Sequence, residues 1–420
     1  MSDGAGKPRP LDGIRVLEMG QLIAGPYAGQ ILASFGAEVV KIEAPGRGDP
    51  LRKWRLLDEH GTSYWWRSIA RNKKSVTLDL GTDAGRDIAR RLIGQSDVLI
   101  ENFRPGRMEA WGLGPETFAK AHPSLVYTRV SGYGQDGPYA ARPGFASACE
   151  AEGGMRYLNG HPGEPPVRAN LSLGDTFAGL HAVIGTLLAL LARSPPEREG
   201  SAMSDTSGAV GRARIIGQVV DVSILESVFA MLEGVVPEYD GAGVVREPSG
   251  TTVTGIVPTN TYRSRDGRFV VIGGNGDSIF KRLMRAAGRD DLADDPALAD
   301  NAGRVLRERD IDKALADWCS TLDADELLAR LGAAEVPAGP INSVADICSD
   351  QHFLARQSIE SVGHGDSVRR LPAAHPRLSA TPARTDWPGP ALGEHTDAVL
   401  QEWLSVDATT LVHWRRSGTL

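Results

Sequence analysis

Residues 11–50 read LDGIRVLEMGQLIAGPYAGQILASFGAEVVKIEAPGRGDP, and the spacing of their apolar residues decides the fold class. Ile14–Glu18 is an apolar run, Ala28–Phe35 carries apolar residues at helical spacing, and Glu38–Ile42 is apolar again. This is a strand–helix–strand unit. The pattern recurs: Ser75–Leu80, a helix around Ala84–Ile93, Asp97–Glu101, a helix around Pro115–Ala121, then Leu125–Val130. Strands alternating with helices predict an α/β fold, a mostly parallel sheet covered on both faces with ligands near the carboxyl ends of its strands.

Outward from this core the composition changes twice. Ser194–Gly217 is rich in Ser, Gly and Arg and lacks periodicity, so it reads as a flexible insertion. A helix from about Val222 to Leu232 follows. Thr251–Gly276 then reads as strands with a hairpin about Arg265-Asp266-Gly267, with helices at about Ser278–Ala287 and Val305–Leu331. From about Pro337 the chain is Pro-rich and irregular before a last helix near Thr396–Leu404. The expected organisation is a large domain starting in residues 1–221, a smaller α+β domain in 222–336, and a C-terminal return to the large domain in 337–420.

At 420 residues, 41% of them apolar and 24% charged, the chain is an ordinary globular protein that buries a core without staples. A net charge of −7 provides no general attraction for nucleic acid or an anionic membrane, so neither is expected as a partner. Cys149, Cys319 and Cys348 are far apart and form no C-x-x-C pair, which points away from disulfides and thiolate metal sites and towards a reducing cytoplasm. The N-terminal MSDGAGKPRP has no apolar segment of the secretory type. Thr176–Ala192 lacks Asp, Glu, Lys and Arg and is at the lower edge of membrane-spanning length. With His181, Thr186 and two glycines inside it, it reads as a helix buried in a protein core.

Several chemistries are absent. Gly20, Gly25 and Gly29 have the wrong spacing for G-x-G-x-x-G, which disfavours a nicotinamide dehydrogenase, and no G-x-x-x-x-G-K-[ST], G-x-S-x-G or H-E-x-x-H occurs. The nine histidines are scattered, and no metal is expected. Asp175 closes the stretch Ser172-Leu173-Gly174-Asp175 ahead of the apolar helix. That pattern fits S-x-x-[DE] capping, with an acid at the positive helix end. A capping role and a chemical one are compatible.

Further stretches are ARNKKSVTLDL at 70–80, ENFRPGRMEAWGL at 101–113, VSGYGQDGP at 130–138, SLGDTFAGLHAVIGTLLALLA from 172, VPTNTYRSRDGRFVVIGGNGD, VPAGPINSVADI and LGEHT. In this order and spacing, together with 11–50, they resemble the class III CoA-transferase family, which includes formyl-CoA and carnitine CoA-transferases and also acyl-CoA racemases. The resemblance implies a Rossmann-like large domain, a small middle domain and an interlocked homodimer, with the active site between the large and small domains. It further implies that Asp175 attacks the thioester, giving an aspartyl anhydride and then an aspartyl-CoA thioester. Gly273 and Gly274, in a glycine-rich turn with Asn275 and Gly276, are the expected catalytic shield: glycines let backbone amides approach a ligand and permit a mobile lid.

Coenzyme A enters with the substrate, and no tightly bound cofactor is expected. Its contacts are expected at Gln21, Leu22 and Ile23, at Asn72 and Lys73, and at Asn102, Phe103, Arg104 and Arg107, all on loops flanking strands. Ala44 and Ala110 stand where better-known members carry arginines. Phe145 occupies the place of the racemase histidine, which favours transfer over racemisation, a reaction that needs an acid/base group on each side of the substrate. Arg52 and Arg168 are candidates for a second substrate carboxylate, the alternatives for each being a structural role or a CoA-phosphate contact. The likeness is nearest to members that pass CoA from succinyl-CoA to a C4–C6 dicarboxylate such as malate, citramalate or glutarate. A racemase, or a CoA-binding subunit of a two-chain transferase, are the alternatives.

Overall fold

A computed structural model describes residues 6–193, 217–363 and 368–420. The expected insertion at 194–217 lies, but for Gly217, outside the described residues. The chain divides into two compact units: Met1–Met155 with Ala169–Leu232 and Gln357–Leu420, and Arg156–Arg168 with Glu233–Arg356.

The first unit is built on six parallel strands, β1 (Arg15–Glu18), β2 (Glu38–Glu43), β3 (Lys73–Thr77), β4 (Val98–Glu101), β5 (Val126–Ser131) and β6 (Gln218–Ser223), in the order β3-β2-β1-β4-β5-β6. Alternation along the strands splits the core into two layers. Leu17, Val40, Val76, Leu99 and Tyr127 face the helix Asp83–Ile93 and the C-terminal residues Val399, Leu400 and Trp403. Val16, Val39, Val98, Ile100 and Val126 face the helices Ala24–Ser34 and Leu173–Ala192. Burying each such side chain contributes roughly 1.5–3 kcal/mol.

The elements differ from expectation in places. The helix expected at Val222–Leu232 is the end of β6 followed by the helix Ile224–Phe229, because Val219, Val220 and Val222 pair with β5 and Ser223 caps the helix through Glu226 N. The first helix runs Ala24–Ser34, and its start lies at the Ala24-Gly25-Pro26 stretch, a turn before the helix-spaced residues 28–35. A final helix, Ala408–Arg416, follows Thr396–Leu404 and is capped by Asp407.

The second unit holds an antiparallel sheet of β7 (Thr259–Arg263), β8 (Phe269–Gly273) and β9 (Ala338–Pro340). The turn between β7 and β8 is at Arg265–Gly267, where Gly267 has φ +85°. Helices Asp277–Ala286, Glu308–Cys319 and Ala324–Ala333 pack Phe280, Leu283, Ile311, Leu315 and Leu327 against Val270 and Ile272. A short antiparallel pair, β10 (Ile359–Val362) and β11 (Arg369–Pro372), belongs to the first unit.

The helix Leu173–Ala192 is not wholly buried. Ala178, Gly179, Ala182, Val183, Thr186 and Ala189 are covered, whereas Leu180, Ile184, Leu187, Leu188 and Leu191 are exposed. The residues are apolar all round, and only one face meets the sheet and the helix Ala24–Ser34.

Candidate active site

The strand order reverses direction between β1 and β4, so the loops leaving their carboxyl ends diverge and open a crevice of the kind that takes ligands in open α/β sheets. Asn102, just after β4, bridges it. Its Oδ1 accepts from Gln21 N at 2.7 Å and its Nδ2 donates to Gln21 O at 2.8 Å. A Cβ on Gly20 would sit 2.8 Å from Asn102 Oδ1, which is why glycine stands there. Leu22 takes φ +64°, and its N–H donates to both carboxylate oxygens of Asp49 at 3.1 Å. Ile23 is buried at the start of the first helix.

Beneath this turn lies a buried charge network. Lys41 Nζ donates to Glu18 Oε1 at 2.9 Å and to Gly20 O at 2.7 Å, and is 2.9 Å from Asp49 Oδ2. Burial opposes the Lys41 charge, but Glu18, Asp49 and Glu43 together raise its pKa above the ordinary lysine value. Lys73 Nζ is 2.7 Å from Glu18 Oε2 and donates to Pro26 O at 2.6 Å; burial pushes its pKa down to about 8. Gly29 leaves room for the Glu18 carboxylate, which a Cβ would strike. Three carboxylates, Glu18, Asp49 and Glu43, face the three cations Lys41, Lys73 and Arg52 here, and each pairing offsets the desolvation of its partner.

Three expected ligand contacts prove to be internal. Lys73 is fully buried in this network. Asn72, at φ +60°, is also buried: its Oδ1 accepts from Asp386 N and its Nδ2 donates to Arg384 O, tying the C-terminal segment to β3. Arg52 donates through Nε and Nη2 to Glu43 at 2.8 and 2.7 Å and through Nη1 to Pro390 O, and stacks on Trp66 with its Cζ 3.9 Å from the ring centroid. With all three of its nitrogens engaged, that guanidinium has no edge left for a substrate carboxylate.

Asp175 lies in the first turn of the helix Leu173–Ala192, half-buried. Ser172 is the N-cap, but its side chain makes no capping hydrogen bond. Instead Glu150, buried on the helix Ala146–Glu152, accepts from Gly174 N at 3.0 Å. The S-x-x-[DE] reading is corrected accordingly: capping falls to a carboxylate 24 residues upstream of the amide it accepts from, which no local motif signals. Gly179 stands one turn beyond Asp175 on the same helix face. A Cβ there would lie 2.9 Å from Ala24 O and from Tyr27 Cδ1. Asp175 therefore rises on the helix face that meets the start of the helix Ala24–Ser34, just past the Gln21–Ile23 turn. Next to it, burial followed by the charges of Glu152 and Asp175 pushes the Cys149 thiol up to about 11, so that Cys149 stays protonated.

Of the remaining candidates, Phe103 is half-buried and packs edge-on against Trp111 with centroids 5.1 Å apart. Arg104 donates to Ala141 O at 3.1 Å, and Arg107 lies over Trp111 at 5.5 Å; both are exposed beside the crevice. Phe145 is an exposed N-cap residue, and Arg168 is exposed in the second unit. The glycine turn departs from expectation. Gly273 N donates to Pro337 O and Gly274 N to Pro258 O, both at 2.9 Å, so these two amides hold the unit's own backbone and offer nothing to an oxyanion. A Cβ on Gly274 would strike Leu283, which makes packing the reason for this glycine. Buried Arg304 also donates to Asn275 O at 2.7 Å, so the turn is pinned. Among the described residues no group of His, Cys, Asp or Glu is arranged to hold a metal ion.

Comparison with known proteins follows the same outline. Residues 11–396 match the family described as CoA-transferase family III. The succinyl-CoA–D-citramalate CoA-transferase of Chloroflexus aurantiacus is 43% identical over 95% of this chain and 95% of its own length. The succinyl-CoA–L-malate CoA-transferase alpha subunit of the same organism is 41% identical over 97% of this chain and 91% of its own. A crystal structure of a CAIB/BAIF family protein from Brucella suis superposes with a TM-score of 0.80 at 31% identity, covering 94% of this chain and 100% of that one.

Proposed function

Because the chain belongs to CoA-transferase family III, we propose that it passes CoA from succinyl-CoA to a C4–C6 dicarboxylate such as citramalate or malate, with Asp175 as the covalent nucleophile. One observation carries the reading: Asp175 stands in the first turn of a helix whose same face meets the start of the helix Ala24–Ser34, which follows directly on the turn at the switch point of the sheet. A carboxylate, unlike a hydroxyl, attacks a thioester as the anion without a general base to take a proton.

The Asp175 carboxylate adds to the succinyl carbonyl, the C–S bond breaks, and CoA leaves as its thiolate. The thiolate attacks the aspartyl carbonyl of the resulting anhydride and expels succinate, leaving Asp175 as its CoA thioester. The acceptor carboxylate attacks that thioester and releases the thiolate, which then takes the acceptor's acyl carbon and frees Asp175. CoA contacts are proposed at the Gln21–Ile23 turn and at Asn102, Phe103, Arg104 and Arg107. Arg168 remains the candidate for the distal carboxylate. Racemisation has less support, since Phe145 has no proton to exchange. The cytoplasm is the proposed location, and a homodimer the proposed assembly. The naming of one relative as an alpha subunit makes a second required chain the reading to test alongside.

The test is intact-mass spectrometry after incubation with succinyl-CoA, comparing wild type with Asp175→Ala. A CoA-sized adduct in the wild type alone is expected, with turnover by the variant lowered at least about 10³-fold. Absence of the adduct from both proteins sinks the covalent route, and turnover only on adding a second polypeptide establishes the two-chain alternative.

A further inference from the structure

We propose that Arg129 is the positioning residue for the CoA-binding turn, clamping both of its flanks through Glu101 and Glu109. This rests on the reading of Asn102–Arg107 as CoA contacts.

Glu101 is the last residue of β4 and is buried. Its Oε1 accepts from Arg129 Nε at 2.7 Å and its Oε2 from Phe103 N at 2.8 Å, so one carboxylate joins β5 to the first bend of the turn. Arg129 lies directly opposite Glu101 in the parallel register of β4 and β5. Its other two nitrogens reach the far side: Nη1 donates to Glu109 Oε1 at 2.6 Å and Nη2 to Glu109 Oε2 at 3.2 Å. Glu109 belongs to the short helix Arg107–Ala110 that closes the turn. A single guanidinium thus holds the residue before and a residue after the segment Asn102–Met108.

Tyr127, two residues earlier on β5 and on the same face, extends the grip by donating its hydroxyl to Leu113 O at 2.8 Å. Only arginine can do this, because its planar fork feeds two carboxylates in fixed directions, whereas a lysine ammonium is a point charge. A buried ion pair is not needed for stability, since an apolar cluster of the same volume serves as well or better. What the clamp adds is direction. It fixes Phe103 N, and with it the neighbouring Asn102 amide that holds Gln21 across the crevice. A turn already in its binding conformation has no ordering cost when CoA arrives.

The experiment compares wild type, Arg129→Lys and Glu109→Gln in the full chain, reading Kd for free CoA by calorimetry and the kinetics of transfer from succinyl-CoA. Loss of a charged hydrogen bond at the clamp predicts Kd for CoA and KM for succinyl-CoA raised on the order of tenfold in each variant, with KM for the acceptor unchanged. Glu109 is half-exposed, so Glu109→Gln keeps the test sound if Arg129→Lys fails to fold. Folded variants that bind CoA as the wild type does overturn the clamp alone. A wild type that binds no CoA overturns the CoA reading and the clamp with it.

Discussion

Glu43, at the end of β2, accepts four donors: Nε and Nη2 of Arg52, the Ser75 hydroxyl at 2.6 Å, and Asp49 N at 2.9 Å. Burial pushes its carboxyl pKa up, but the Arg52 bonds and charge outweigh that and hold it below the ordinary value. A carboxylate depressed in the folded state contributes stability above its unfolded pKa of ~4.3 and loses it as pH falls through the folded one. Glu43→Gln is therefore expected to lose about 3 kcal/mol at neutral pH, the scale for breaking a buried pair. The gap in Tm should narrow on acidification below about pH 4; a gap constant from pH 7 to 3 by calorimetry rejects this assignment. Inward-turned head groups also separate the reading of Arg52, Asn72 and Lys73 as ligand contacts from their places in the structure. Residue type and a place beside a strand are legible locally, but whether the head group turns inward depends on partners such as Glu18, Arg384 and Pro390 that are remote in the chain.

At the scale of elements, periodicity locates five of the six parallel strands between helix-spaced segments, although β3 (Lys73–Thr77, with Val76 its one apolar residue) starts two residues before the expected Ser75–Leu80. β6 was missed because its valines run straight into the helix Ile224–Phe229, and one apolar stretch covers both periods. LGEHT was legible as a motif but not as a mechanism: His395 N donates to Ser75 O and Gly393 N to Ser75 Oγ, so the segment seals the edge of β3. Two helical glycines show how context decides the sign of one substitution. Gly179→Ala places a methyl 2.9 Å from a backbone oxygen at Ala24, and the strain should exceed Ala's propensity gain of up to ~1 kcal/mol, for a net loss of about 1–2 kcal/mol. Gly332→Ala, near the end of the helix Ala324–Ala333, meets nothing within 4 Å and should stabilise its unit by about 0.5 kcal/mol. Denaturant titrations of the two variants give opposite shifts of the midpoint if the helix contact at Gly179 is as described, and shifts of the same sign if it is not.

For the whole molecule, the exposed face of Leu173–Ala192 is the decisive feature. Leu180, Ile184, Leu187, Leu188 and Leu191 follow i, i+4, i+7, i+8 and i+11 spacing and form one continuous apolar stripe. The helix is long and apolar enough to cross a membrane, but its other face is committed to protein: Thr186 shares a 2.7 Å hydroxyl contact with Thr128 of β5, and Gly179 abuts Ala24. Among the described residues nothing covers this stripe, a mark of an interface, and the proposed occupant is a second copy of the chain, in the interlocked homodimer that the family resemblance implies. Such a dimer should show about twice the 44.8 kDa chain mass in light scattering. Linked rings cannot separate without unfolding, so the mass should not fall on dilution to nanomolar concentration, unlike that of a dimer held by contact alone. Ile184→Glu combined with Leu188→Glu places two charges in the stripe and should abolish assembly, leaving aggregated or monomeric protein with little activity. A wild-type monomer, or an active monomeric double variant, removes the second copy from the stripe and leaves another polypeptide as its cover.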